Sequence, residues 1–168
     1  LANDADAMVV DRLGNTVLHQ CTSVAAAQRL LDAGVALDAA NANGATAFHC
    51  AANTGRTSLV KFYIEKGWSA NVLANDDVTP LHGASVGGHG GAASALLNLG
   101  AVLDLPTKDG VTALHLAGSI DVVKLLISSG ANPAVRDSND KDDFIHALER
   151  HDLASPVFLL VAMPFNPL

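Results

Sequence analysis

A six-residue pattern recurs four times along the chain and limits its fold more than any other feature. It reads Gly14-Asn15-Thr16-Val17-Leu18-His19, Gly44-Ala45-Thr46-Ala47-Phe48-His49, Asp77-Val78-Thr79-Pro80-Leu81-His82 and Gly110-Val111-Thr112-Ala113-Leu114-His115. The histidines are separated by 30, 33 and 33 residues. A second landmark keeps step: Leu30-Leu31-Asp32-Ala33-Gly34, Tyr63-Ile64-Glu65-Lys66-Gly67, Leu96-Leu97-Asn98-Leu99-Gly100 and Leu126-Ile127-Ser128-Ser129-Gly130. Two landmarks in register define units of thirty-odd residues, and such a unit cannot bury its apolar faces without stacking on a neighbour.

Each repeated residue has a physical reason. The Thr of the motif can cap a helix by accepting from free N–H groups of its first turn. Pro80, at the first helical position, gives up an N–H that has no partner there anyway. Small residues follow in the first helix (Cys21, Ala51, Ala52, Ala84 and Ala117), so neighbouring units can approach closely. The second helix carries larger side chains, such as Leu59, Val60 and Phe62, and ends at a glycine that can take the left-handed conformation. Aromatics are only 4% of the chain, so Ala, Val and Leu must build the core.

The period and the Thr-Pro-Leu-His-like core resemble the ankyrin repeat, and the resemblance covers nearly the whole chain. It implies an all-α repeat fold: a solenoid of helix-turn-helix units with projecting β-hairpin loops, about four full repeats plus partial terminal ones. The expected division of this single domain is residues 1–10 as the tail of a preceding repeat, then repeats at 11–40, 41–73, 74–106 and 107–136. A degenerate capping repeat would follow at 137–168. Repeats one and four are two or three residues short between their helices, which predicts a shortened first helix or a tightened loop. The chain starts at Leu1, and a longer parent protein is expected.

The residues that invite a chemical reading have plainer explanations. The family resemblance makes the motif histidines structural, tying hairpin to helix start. Copies one repeat apart lie about 10 Å from each other, by analogy with packed helices, too far to share a zinc ion. Gly87-Gly88-His89-Gly90-Gly91 superficially resembles a phosphate loop, but no Lys-Ser/Thr follows it; Gly88-His89 matches the family's inter-helix turn, and the extra glycines predict backbone freedom there. Cys21 and Cys50 are expected to be buried, reduced thiols on adjacent first helices, too far apart to bridge. The apolar run at 157–163 is too short to span a bilayer. No catalytic residue, cofactor or metal ligand is expected, and the chain is not expected to be an enzyme.

The net charge of −7 argues against nucleic acid as a partner. Ankyrin repeats bind other proteins, so the resemblance implies an intracellular, monomeric module, cytoplasmic or nuclear, that docks a protein or peptide through hairpin tips and the concave first-helix face. The hairpin slots are Arg12, Leu13, Asn15, Ala42, Asn43, Ala45, Asn75, Asp76, Val78, Lys108, Asp109 and Val111; the first-helix face adds Asn53, Thr54, Val86 and Gly87. Trp68 stands where Ala101 and Ala131 stand in later repeats, and is read either as local packing or as an interface anchor. Acidic residues at 76–77 and 137–143 suggest a basic partner. Two alternatives stay open: a targeting or regulatory segment of a larger enzyme or signalling protein, and a structural spacer in a longer array. In the family, Asn71 occupies a slot that can be hydroxylated, although Ser69 replaces the usual acidic neighbour.

Overall fold

The computed structural model describes residues 9–140. The expected leading tail, apart from Val9 and Val10, and the capping repeat beyond residue 140 lie outside the described residues, as do His146 and His151. Within them the helices are α1 (Val24–Asp32), α2 (Ala47–Asn53), α3 (Thr57–Glu65), α4 (Pro80–Val86), α5 (Gly90–Asn98) and α6 (Ile120–Ser128), with one 3-10 turn at Asn75–Asp77. They form two layers. The inner layer stacks α2 on α4, and the outer layer runs α1, α3, α5, α6. The hairpins project from the inner layer, with isolated antiparallel bridges at Val10–Thr16 and Ala40–Thr46.

Among the described residues only repeats two and three have an inner helix. From the motif histidine to the N-cap of the outer helix there are seven residues in those repeats (His49 to Arg56, His82 to His89) and four in the others (His19 to Ser23, His115 to Ser119). Three missing residues are nearly one helical turn. Repeats one and four therefore keep a single tight turn, with Cys21 N–H donating to Leu18 O (3.2 Å) and Ala117 N–H to Leu114 O (3.1 Å). A serine then replaces the longer connection: Ser23 and Ser119 cap α1 and α6, accepting from Ala26 N–H and Val122 N–H at 3.3 Å.

The outer helices share one ending. Gly34, Gly67, Gly100 and Gly130 all sit at φ between 89° and 99°, and the next residue turns back to bond the helix, as where Trp68 N–H donates to Tyr63 O (3.2 Å) and Ala101 N–H to Leu96 O (2.9 Å). This closes the last open carbonyls. The core lies between the layers. Leu18, Phe48, Leu59, Leu81, Leu96 and Leu126 are fully buried, each contributing about 1.5–3 kcal/mol by leaving water. Ala51, Ala52, Ala84 and Ala117 are buried between repeats, as close stacking of small residues requires.

The Thr-His pair locks each unit. Thr79 N–H donates to His82 Nδ1 (3.1 Å), and His82 N–H donates to Thr79 Oγ1 (3.4 Å). The imidazole takes the reciprocal role a Glu or Gln has in a capping box. Because Nδ1 accepts, the ring proton is on Nε2, which donates to Val111 O of the next hairpin (3.1 Å). His19 repeats the arrangement with Ala45 O (3.0 Å), and His49 donates to Val72 O (3.2 Å). His19, His49 and His82 thus join the motif turn or helix start to the following loop, as the resemblance implies.

The concave groove and the hairpin rail

The hairpins are tied into one rail by backbone hydrogen bonds. Ala42 N–H donates to Leu13 O (2.9 Å), Asn75 N–H to Asn43 O (3.0 Å), Lys108 N–H to Asp76 O (3.0 Å) and Ser138 N–H to Asp109 O (2.8 Å). Each tip also closes on itself. Asp11 accepts from Leu13 and Asn15 N–H (2.8 and 2.9 Å), and Asn41 accepts from Asn43 and Ala45 N–H (2.9 and 3.0 Å). Repeat three has Ala74 in that slot and no side chain to accept. Its tip instead takes two consecutive left-handed residues, Asp76 (φ 58°) and Asp77 (φ 61°). Asp tolerates this conformation better than most residues.

Beneath this tip, between repeats two and three, lies a groove of about 480 Å³. Seven of the sequence candidates line it: Asn43, Ala45, Asn75, Asp76 and Val78 from the hairpins, and Asn53 and Val86 from α2 and α4. Asn15 and Thr54 line an adjoining depression toward repeat one, with Asn53 shared. Arg12, Leu13, Ala42, Lys108 and Asp109 are exposed along the rail outside the groove, and Val111 is the half-buried acceptor of His82. Gly87 is exposed at the end of α4. A Cβ there would lie 2.7 Å from Asn53 O and press on the His89 ring, so its glycine serves close approach.

Trp68 is not part of the groove. It is half-buried, with its ring edge-on to Phe48 at 6.4 Å. Of the glycine-rich run, Gly88 alone is left-handed (φ 69°), while Gly90 and Gly91 are helical. Cys50 departs from expectation. Cys21 is buried, but Cys50 is only half-buried and lines both depressions, because the slot after the motif histidine faces the concave side. Desolvation still pushes its thiol pKa up, which favours the protonated form.

Sequence reasoning also missed Gly83 and Leu116, which line the groove from the same slot as Cys50. The equal spacing from each motif histidine was the available signal. Asn71 likewise proves to be a bridge between repeats: its Nδ2 donates to Gly100 O (3.0 Å) and its Oδ1 accepts from Val102 N–H (2.7 Å).

Burial, the leading cause, holds the His49 and His82 pKa below the usual value, against the pull of the carbonyls on Nε2. With Nδ1 and Nε2 both engaged by the scaffold, neither ring offers a free nitrogen for acid–base work or metal ligation. Among the described residues no cluster of His, Cys, Asp or Glu could hold a metal, and no helix is long and apolar enough to cross a membrane.

These features define a class: a helical repeat stack with an open groove and side chains committed to structure. A family model for ankyrin repeats, in three copies, matches residues 48–137, and the chain belongs to the ankyrin repeat family. Such repeats are generally non-catalytic protein–protein interaction modules. The chain is similar to Palmitoyltransferase Hip14 of Drosophila melanogaster, 26% identical over 76% of this chain and 26% of that protein. It is also similar to the mouse B-cell lymphoma 3 protein homolog, at 29% identity over 87% and 35%. The rice Zinc finger CCCH domain-containing protein 50 is 41% identical over 42% of this chain and 12% of its own length. The chain thus spans about a third or less of these relatives.

Proposed function

We propose that this chain docks a protein or peptide partner in the groove between repeats two and three, with the hairpin rail as its upper lip. One observation carries this reading. Recurring residues spend their polar groups on backbone, whereas the non-recurring Asn43, Asn53 and Val86 present free side chains to one 480 Å³ groove. A binding module needs that division between fixed scaffold and variable face. The repeat limits at 40/41, 73/74 and 106/107, a monomeric state and an intracellular location belong to the same reading. So does a partner of basic character, in keeping with the net charge of −7.

The test is capture of partners by the immobilised chain, repeated with Asp76→Lys and with Val86→Lys. Partners lost with either variant support the groove. Retention of every partner by both would place binding elsewhere.

A second reading has its own support. The similar proteins are several times longer than this chain and include palmitoyltransferases, so the repeats would serve as the targeting or regulatory segment of a larger protein. A catalytic domain in the same gene would favour it.

A further inference from the structure

The groove has a chemistry that narrows what it can take. Among the described residues lining it, Asp76 carries the only formal charge. The wall is otherwise apolar or amide: Val78, Val86 and Leu116 supply hydrocarbon, and asparagines supply carboxamides. The two imidazoles in the wall, His49 and His82, spend Nδ1 and Nε2 on Thr and carbonyl groups of the scaffold. Across the floor, the slot after each motif histidine holds Cys50, Gly83 and Leu116, so the middle position contributes no side chain.

We infer that the groove recognises an extended peptide carrying one long cationic side chain, whose methylenes cover Val86 and Leu116 and whose charged head reaches Asp76. This rests on the docking role proposed above. An arginine or lysine has both parts the groove asks for, an apolar stem and a cation at its tip. The side chains of Asn43 and Asn53 make no hydrogen bond among the described residues. Each offers a donor and an acceptor side by side, the match for one peptide group of an extended backbone.

Asp76 already faces a cation. Lys108 Nζ lies 3.5 Å from its carboxylate, with both side chains more than half exposed. An exposed pair of that length is worth little. It acts as a weak competitor: the incoming cation must displace Lys108, so removing Lys108 should strengthen binding. A scaffold role for the pair predicts no such gain.

The experiment selects binders from a phage-displayed library of random dodecapeptides on the immobilised full chain, then measures synthetic versions of the enriched peptides by fluorescence anisotropy. The expected result is one Arg or Lys at a fixed position in the enriched set, with replacement by norleucine weakening binding about tenfold. Asp76→Asn should weaken the same peptides by about three- to tenfold, and Lys108→Ala should tighten them by about two- to threefold, as expected for exposed charges. Val86→Lys, at a position already 46% exposed, puts the protein's own alkylammonium in the groove and should abolish binding. Enriched peptides that lack a basic residue yet lose binding to Val86→Lys would overturn the inference and leave the docking role standing. Peptides indifferent to Val86→Lys, or no enrichment at all, would overturn both.

Discussion

Acid should loosen the middle of this array through His49 and His82. At His49 and His82, Nδ1 accepts a backbone N–H at 3.2 and 3.1 Å and lies 3.0 and 2.8 Å from a threonine hydroxyl. A proton on that nitrogen would face the N–H directly. Burial holds both pKa values down, with a neighbouring histidine (His19 and His115 respectively) adding a smaller push the same way. An unfolded imidazole titrates near ~6.5, so below that pH the unfolded chain binds more protons than the folded one. The stability supplied by neutral rings is therefore complete above ~6.5, is lost as pH falls toward the depressed folded values, and changes no further below them. Each ring can contribute a slope of at most ~1.4 kcal/mol per pH unit, so the pair gives up to ~2.8. Urea denaturation followed by circular dichroism, from about pH 8 to about pH 5, reads this directly, and ring titrations by NMR assign it. Thr79→Val should cost ~1–2 kcal/mol at neutral pH, the scale of a lost cap, yet keep the pH slope because the backbone donor remains. Stability that is flat or rises on acidification through this window, or rings that titrate at or above ~6.5, would refute the role given to Nδ1. Asp11 does not confuse the reading: hydrogen bonds, led by that from the Asn15 side chain, hold its pKa below the ordinary 3.8, so its loss comes at lower pH.

Three further outcomes follow from single contacts. Tyr63 is buried with its hydroxyl unpartnered, and burial raises its pKa further; Tyr63→Phe should leave stability unchanged or raise it by about 1 kcal/mol, and a loss of that size in urea melts would reveal a partner. Gly118→Ala would drive a Cβ into Val86 O, where Gly118 N–H already donates to Ser85 O (2.8 Å); a loss of about 1–3 kcal/mol is expected, and none would mean the repeats can part without cost. Asn71→Ala removes both bonds from repeat two to the Gly100–Val102 loop and should cost about 1–2 kcal/mol by the same assay, with an unchanged denaturant slope.

The sequence made legible what recurs. Thr79 with His82, the glycine after each outer helix and the alanines between repeats each follow from local backbone demands, and four copies in register made them plain. The shortened units were legible as well, since residues can be counted between His115 and Ile120. What escaped depends on approach between segments far apart in the chain. Gly118 reads as loop filler until the Val86 carbonyl is set against it, and Cys50 reads as core until the slot after His49 is seen to face outward. Asn71 looked like a hairpin residue with a modification slot, but its carboxamide spans two repeats. The groove was half legible: Asn43, Asn53, Asp76 and Val86 could be named one by one, but not their convergence.

That convergence has a cause in chain length. A concave face needs at least two inner helices side by side, and among the described residues only α2 and α4 supply them. The three residues missing from repeats one and four remove the turn that would extend the face on either side. Among the described residues the inner layer is therefore interrupted where Cys21 and Ala117 make their single turns, and the groove is confined between them. Asp76 lines this groove from the hairpin whose tip, alone among the described ones, has lost its side-chain clamp and turns through two left-handed residues. Restoring the clamp with Ala74→Asn, the residue at the same position in repeat two, should let the tip close like its neighbours. If Asp76 keeps its place through that change, measured as unchanged peptide affinity, the groove is set by the inner helices. If affinity falls while stability rises, the left-handed tip itself positions the carboxylate.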